Sequence, residues 1–168
     1  MTAAVASLWA HEEFGQAQLG DERRTQRLVD MAAQAVQKPA GKLTQVWEQG
    51  PGRQGAYRLL ENEEVEAGDM TSAAGEAAFG RARGPLVLAA TDGCSLNVLA
   101  ARNKQLSKGF GPVGTDKSKA RGLEVVSALL LSDKGVPLGI GGQRYWGRQH
   151  SSEQPADKRS LEDKETRY

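Results

Sequence analysis

A single cysteine, Cys94, occurs in 168 residues. That scarcity excludes an internal disulfide and any cysteine-only metal site, and it fits a reducing cytoplasm; Cys94 itself reads as a small core thiol. Net charge is scarce as well. Lys+Arg 22 against Asp+Glu 21 leaves +1, so no global field argues for nucleic acid, and any basic surface has to come from uneven placement. Long apolar runs are missing: none approaches the roughly 20 residues of a membrane span. The opening MTAAVASLWAHEEF has no basic n-region and turns acidic at Glu12, unlike a secretory signal. These absences lead us to expect a cytoplasmic protein with no membrane partner.

What is present is a soluble globular composition, 39% hydrophobic and 26% charged, enough for one ordinary domain or two small ones. Its charges are segregated. Between Leu59 and Ala78 stand Glu61, Glu63, Glu64, Glu66, Asp69 and Glu76 with no Lys or Arg, whereas Arg102, Lys104, Lys108, Lys117, Lys119 and Arg121 share one loop with Gly109, Gly111 and Gly114. Such a loop suits a cationic flap that tracks a phosphate backbone. It lacks the order of a Walker phosphate loop. The tail from Gly147 is charged throughout, with Leu161 its only aliphatic residue larger than alanine, and His150 with Glu153 lacks the third ligand a metal site needs.

Before residue 85 the chain reads as helical. Asp21 is a candidate N-cap, followed by Leu28, Met31, Ala32 and Ala35 at helical spacing until Pro39. At about 100° per residue Arg23 and Arg27 project away from that stripe and Arg24 lies at its border. Two arginines near a helix N-terminus suit phosphate contacts; the same pair also reads as a solvated face balanced by Asp30. Lys38 to Lys42 makes a tight turn, and Leu43 to Trp47 starts a short second helix, a helix-turn-helix outline that many non-binding domains share. Pro51-Gly52 leads into GAYRLLEN, in which Ala56, Leu59 and Leu60 share a face and Arg53 and Arg58 point elsewhere. Val65 to Arg81 is an Ala-rich linking helix interrupted by Gly75.

From Pro85 to Val98 an apolar run, Leu86 to Ala90, delivers Asp92 into a Gly-containing turn. Read alone, Asp92-Gly93 between apolar runs signals a hairpin. Leu123 to Leu131 and Val136 to Tyr145 read as further strands joined by Asp133-Lys134-Gly135, an antiparallel meander of three strands.

Taken in order, EFGQAQLGDERRTQRLVDMA, GAYRLLEN, LAATDGCSLNV, GFGPVG, RGLEVVSALLL, PLGIGGQRYWGR and RSLEDKETRY resemble the N-terminal part of cut-and-paste bacterial transposases of the Asp-Asp-Glu type, in the insertion-sequence-four (Tn-five-like) branch. The resemblance implies an α+β chain: a helical domain that binds transposon ends (1–66), a linking helix (67–84) and the first three strands of a truncated ribonuclease-H-like catalytic domain (85–168). It implies that Asp92 is the first catalytic carboxylate and metal ligand, for Mg²⁺ or Mn²⁺, and that duplex DNA meets Arg23, Arg24, Arg27, Lys42 and Thr44; Arg53 and Arg58, which point away from the apolar face of GAYRLLEN, are further DNA-binding candidates. The family usually has Asp-Thr-Thr where this sequence has Asp92-Gly93-Cys94, and His-Ser where it has Val126-Ser127. Its other two metal-binding carboxylates come later than the motif resembling LEDKETRY, so the expectation is end binding without strand cleavage, with self-association or a completing chain as partner. A stand-alone regulator that competes for transposon ends fits the same residues.

Overall fold

The computed structural model describes residues 1–39, 42–47, 50–98, 110–113 and 120–148. Among the described residues five helices precede four strands. The helices are α1 (Ala3–Phe14), α2 (Glu22–Gln37), α3 (Leu43–Val46), α4 (Pro51–Leu60) and α5 (Ala67–Gly80), and the strands are β1 (Val87–Asn97), β2 (Gly111–Pro112), β3 (Arg121–Ser132) and β4 (Pro137–Trp146). The chain divides into two compact units, one of residues 1–90 with 128–142, the other beginning at Thr91 and taking in 91–127 and the chain from Gln143.

In the first unit α2 is the centre. Leu28, Met31 and the partly buried Ala35 face Trp47 and Val46 of the α3 segment, Ala56 and Leu59 of α4, and Ala73 of α5. On another side Val29 and Ala33 meet Ala10 of α1, with Trp9 and Phe14 packed edge to face beside them at 6.2 Å between ring centroids. The chain enters α2 through a built turn. Leu19 is buried, Gly20 takes a positive φ of 77° that a side chain rarely adopts, and the Asp21 carboxylate caps the helix by accepting from the Arg23 N–H at 2.8 Å. Thr25 Oγ1 donates back to the Ala17 carbonyl at 2.8 Å. Pro51 begins α4, where its missing N–H costs nothing. Leu60, expected on the buried face of α4, is exposed, and the core at that end is closed by Leu59 and Val65 instead.

Helix α5 is not broken at Gly75. It runs through that residue because β4 lies against it: a Cβ at Gly75 would stand 2.7 Å from the Gly141 carbonyl oxygen, and one at Gly139 would stand 3.0 Å from the Ala78 Cβ. Arg81 closes the α5 end, donating to the Leu138 carbonyl at 2.7 Å and pairing with Glu13 of α1.

The strands form one four-stranded antiparallel sheet with β3 flanked by β1, β2 and β4. Along β1 from Gly93 to Leu96 the β3 neighbour moves back from Val126 to Gly122, the antiparallel sense, and β3 turns into β4 at Asp133 to Gly135, where Ser132 N–H meets the Val136 carbonyl at 2.9 Å. Three expectations are corrected. Asp92-Gly93 is not a turn: β1 continues straight through it to Asn97, because β3 supplies the ladder partner and no strand returns after Gly93. A fourth strand, β2, lies in the stretch read as a loop, with Gly111 opposite Gly122 and Pro112 opposite Arg121. Cys94 is exposed on β1 and not a core thiol. In the second unit Glu124 is buried on β3, accepting from Ser95 Oγ at 2.8 Å and paired with Arg148 Nε at 3.3 Å. The rest of the cationic loop, the Ala40-Gly41 part of the Lys38–Lys42 turn and the tail with His150 and Glu153 lie outside the described residues.

The close approach at Gly75 reverses an ordinary expectation. A mid-helix Gly→Ala change normally stabilises by roughly 0.5–1 kcal/mol. Gly75→Ala should lower the melting temperature, because its methyl would meet the Gly141 carbonyl; a raised melting temperature would show that α5 does not bear on β4 there.

Candidate functional site

The six basic residues expected to meet DNA fall into three physical classes. Arg23 and Arg24, in the first turns of α2, are held by acids. Arg23 makes a two-pronged pair with Asp21, Nε to Oδ1 at 3.3 Å and an Nη to Oδ2 at 2.9 Å, and its side chain is 91% exposed. Arg24 donates to the Leu19 carbonyl at 3.1 Å and pairs with Glu64, which follows α4; its side chain is only 27% exposed. Sequence spacing offers no sign of that pair, because its members stand 40 positions apart.

Arg27, Arg58 and Lys42 form the second class. Among the described residues none of the three has a hydrogen bond or an ion pair. Asp30, the acid expected to balance α2, instead accepts from Gln26 at 3.0 Å. Arg27 does not project freely into solvent as its helical angle implied. Its guanidinium lies over Gly55 of α4, where a Cβ would approach Cζ to 2.8 Å. Arg58 is exposed three residues further along α4, on the strip adjoining Gly55. Lys42 is exposed at the N-cap of α3, and Thr44 is exposed two residues further on.

Arg53 makes the third class. Its Nε donates to the Trp47 carbonyl at 2.9 Å and an Nη to the Thr44 carbonyl at 3.2 Å, so it fastens the C-terminal end of α3 to α4. A glycine inside GAYRLLEN and an arginine two residues before it were legible as types. Their tasks, making room for Arg27 and tying down α3, needed the fold.

Asp92 is exposed in the middle of β1. Among the described residues no group of three His, Cys, Asp or Glu is placed to hold a metal ion. A lone carboxylate with water holds Mg²⁺ weakly, so these residues do not fit a two-metal centre.

Two carboxylates of the helical region are perturbed in opposite senses. Asp21 is held below its ordinary value, first by the hydrogen bond from the Arg23 side chain and then by the Arg23 N–H; the same bond raises Arg23. Glu13 is raised, because burial outweighs the attraction of Arg81. A depressed carboxylate adds stability above its unfolded pKa and loses it as pH falls through the folded one, whereas a raised one favours the fold at low pH and loses that contribution as pH rises through it. The stability difference between wild type and Asp21→Asn, which keeps a capping oxygen, should therefore be level at neutral pH and shift against the wild type as pH falls below 3.8. Parallel stability curves for the two proteins down to acid pH would contradict the Arg23 pair.

Residues 6–65 match the family model described as transposase DNA-binding. The matched stretch takes in α1 from Ala6 through α4 and every basic residue of the three classes. It is similar to a transposase N-terminal region, a likeness that supports DNA as a partner. No described helix is long and apolar enough to cross a membrane.

Proposed function

We propose that this protein binds the ends of a transposon as duplex DNA, as a member of the insertion-sequence-four branch of Asp-Asp-Glu transposases. The observation that carries the reading is the coincidence of the transposase DNA-binding match with a helix pair where Arg27 of α2 lies over Gly55 of α4 and Arg58 is exposed three residues further on, neither with an acidic partner among the described residues. In this reading Arg23, Arg24 and Arg27 meet phosphates or base edges at the start of α2, where the helix N-terminus adds its own attraction for anions. Lys42 and Thr44 touch the backbone from α3, Arg58 extends the surface along α4, and Arg53 serves from behind by fixing α3. The strand bearing Asp92 is the first strand of a ribonuclease-H-like catalytic domain, and Asp92 is its first carboxylate. Strand cleavage needs further carboxylates to hold divalent metal, so binding, not cutting, is the activity assigned to the described residues.

Two surfaces of one helix pair should separate in a titration of the full chain against duplex DNA. Arg27→Ala with Arg58→Ala should weaken binding by at least roughly tenfold, and should lower the slope of log K against log salt by about 0.9 for each phosphate no longer neutralised. Melting temperature should change little, since neither residue has a hydrogen bond among the described residues. Unchanged affinity at two salt concentrations would remove the reading.

A further inference from the structure

We propose that Glu64 competes with DNA phosphate for Arg24, so that the turn between α4 and α5 sets how readily the binding surface engages any duplex. The inference rests on the DNA-binding reading above and concerns the regulation of that same surface.

Glu64 is not a loose surface acid. Its N–H donates to Asn62 Oδ1 at 2.9 Å, and the Val65 N–H donates to the Asn62 carbonyl at 3.0 Å, so the turn after Leu59 is fixed on both sides of Glu64. Val65 then packs against the helical core. The carboxylate is thereby carried to Arg24, while its own side chain stays 73% exposed. Arg24 in turn is anchored by the Leu19 carbonyl, so its guanidinium cannot swing far, and one of its remaining donors is spent on Glu64. A phosphate approaching α2 at this point meets an arginine already neutralised. Arg24 can serve DNA only by exchanging one anion for another. Such an exchange gains less than meeting a free cation, and non-specific duplex, whose affinity is nearly all phosphate attraction, feels that loss in full. The neighbouring Glu61 and Glu63 carry the same charge with no ion pair among the described residues, and this separates a specific pair from a general acidic field.

The test uses the full chain and a random-sequence duplex of about two helical turns, with melting temperature followed in parallel. Glu64→Gln should tighten binding by about threefold to tenfold at low salt and steepen the salt slope by about one unit, as expected when one more cation is free to neutralise phosphate. Glu61→Gln removes the same charge and should give a smaller gain. In the Arg24→Ala background Glu64→Gln should give no gain, since the group it frees is gone. Equal gains from Glu61→Gln and Glu64→Gln, or a gain that survives in Arg24→Ala, would overturn the proposal and leave DNA binding standing. Weaker binding by a stably folded Glu64→Gln would likewise overturn it. Absence of duplex binding by both the wild type and Glu64→Gln would take down the binding reading, and this inference with it.

Discussion

The turn from Ala17 to Asp21 decides where α2 begins, and the helical unit depends on that position. Leu19 is the largest fully buried side chain there, and Thr25 and Arg24 reach back from the first turns of α2 to the carbonyls of Ala17 and Leu19. The Ala17 carbonyl also accepts from the Leu19 N–H at 3.1 Å, whereas the Leu19 carbonyl depends on Arg24, and a buried carbonyl left without a donor costs about 1–3 kcal/mol. Moving the start of α2 by one residue would rotate the helix by about 100°. Leu28 and Met31 would then leave the α3 and α4 side, and Val29 and Ala33 would leave α1. The same rotation would take Arg27 off Gly55. Core and charged surface are thus set by one register.

Small residues carry the rest of the packing. Ala10, Ala33, Ala56, Ala73 and Ala78 fill the gaps between helices, and Gly55, Gly75, Gly139 and Gly141 stand where a Cβ would collide with a neighbouring group. Alanine and glycine bury little apolar area, so each gives weak adhesion, but they let helices approach closely enough for backbone and guanidinium groups to touch. Arg27 over Gly55 is one such approach. A helix pair held this way has little slack, and the cationic strip on it inherits that rigidity.

Legibility from the sequence followed the range of the interactions. The N-cap at Asp21, the stripe on α2, the stop at Pro39 and the turn at Asp133 to Gly135 are local features, and each appears where the pattern places it. Asp92-Gly93 misled because the hairpin signal is local while the pairing of β1 is not; its partner β3 begins at Arg121. Gly75 misled for the same reason, since a glycine that weakens an isolated helix is required where a strand backbone comes close. At the candidate site, residue types were readable and roles were not. LGDERRT reads as a run of charges on a helix, yet Asp21 is a cap, Arg24 and Thr25 tie down the entering turn, and Arg23 is held by the cap itself.

That arrangement bears on how such a surface would select DNA. Arginines that are free in the unbound protein add affinity for any duplex, because each neutralised phosphate releases counterions whatever the bases are. Arginines held by carboxylates add little of that general affinity, since one anion leaves as another arrives. They contribute when the geometry they reach exceeds what the carboxylate offered, as a bidentate pairing with a guanine edge does. On the proposed reading, a surface combining unpaired Arg27, Arg58 and Lys42 with held Arg23 and Arg24 would divide its work: the unpaired set would attract the backbone, and the held set would reward a fitting sequence.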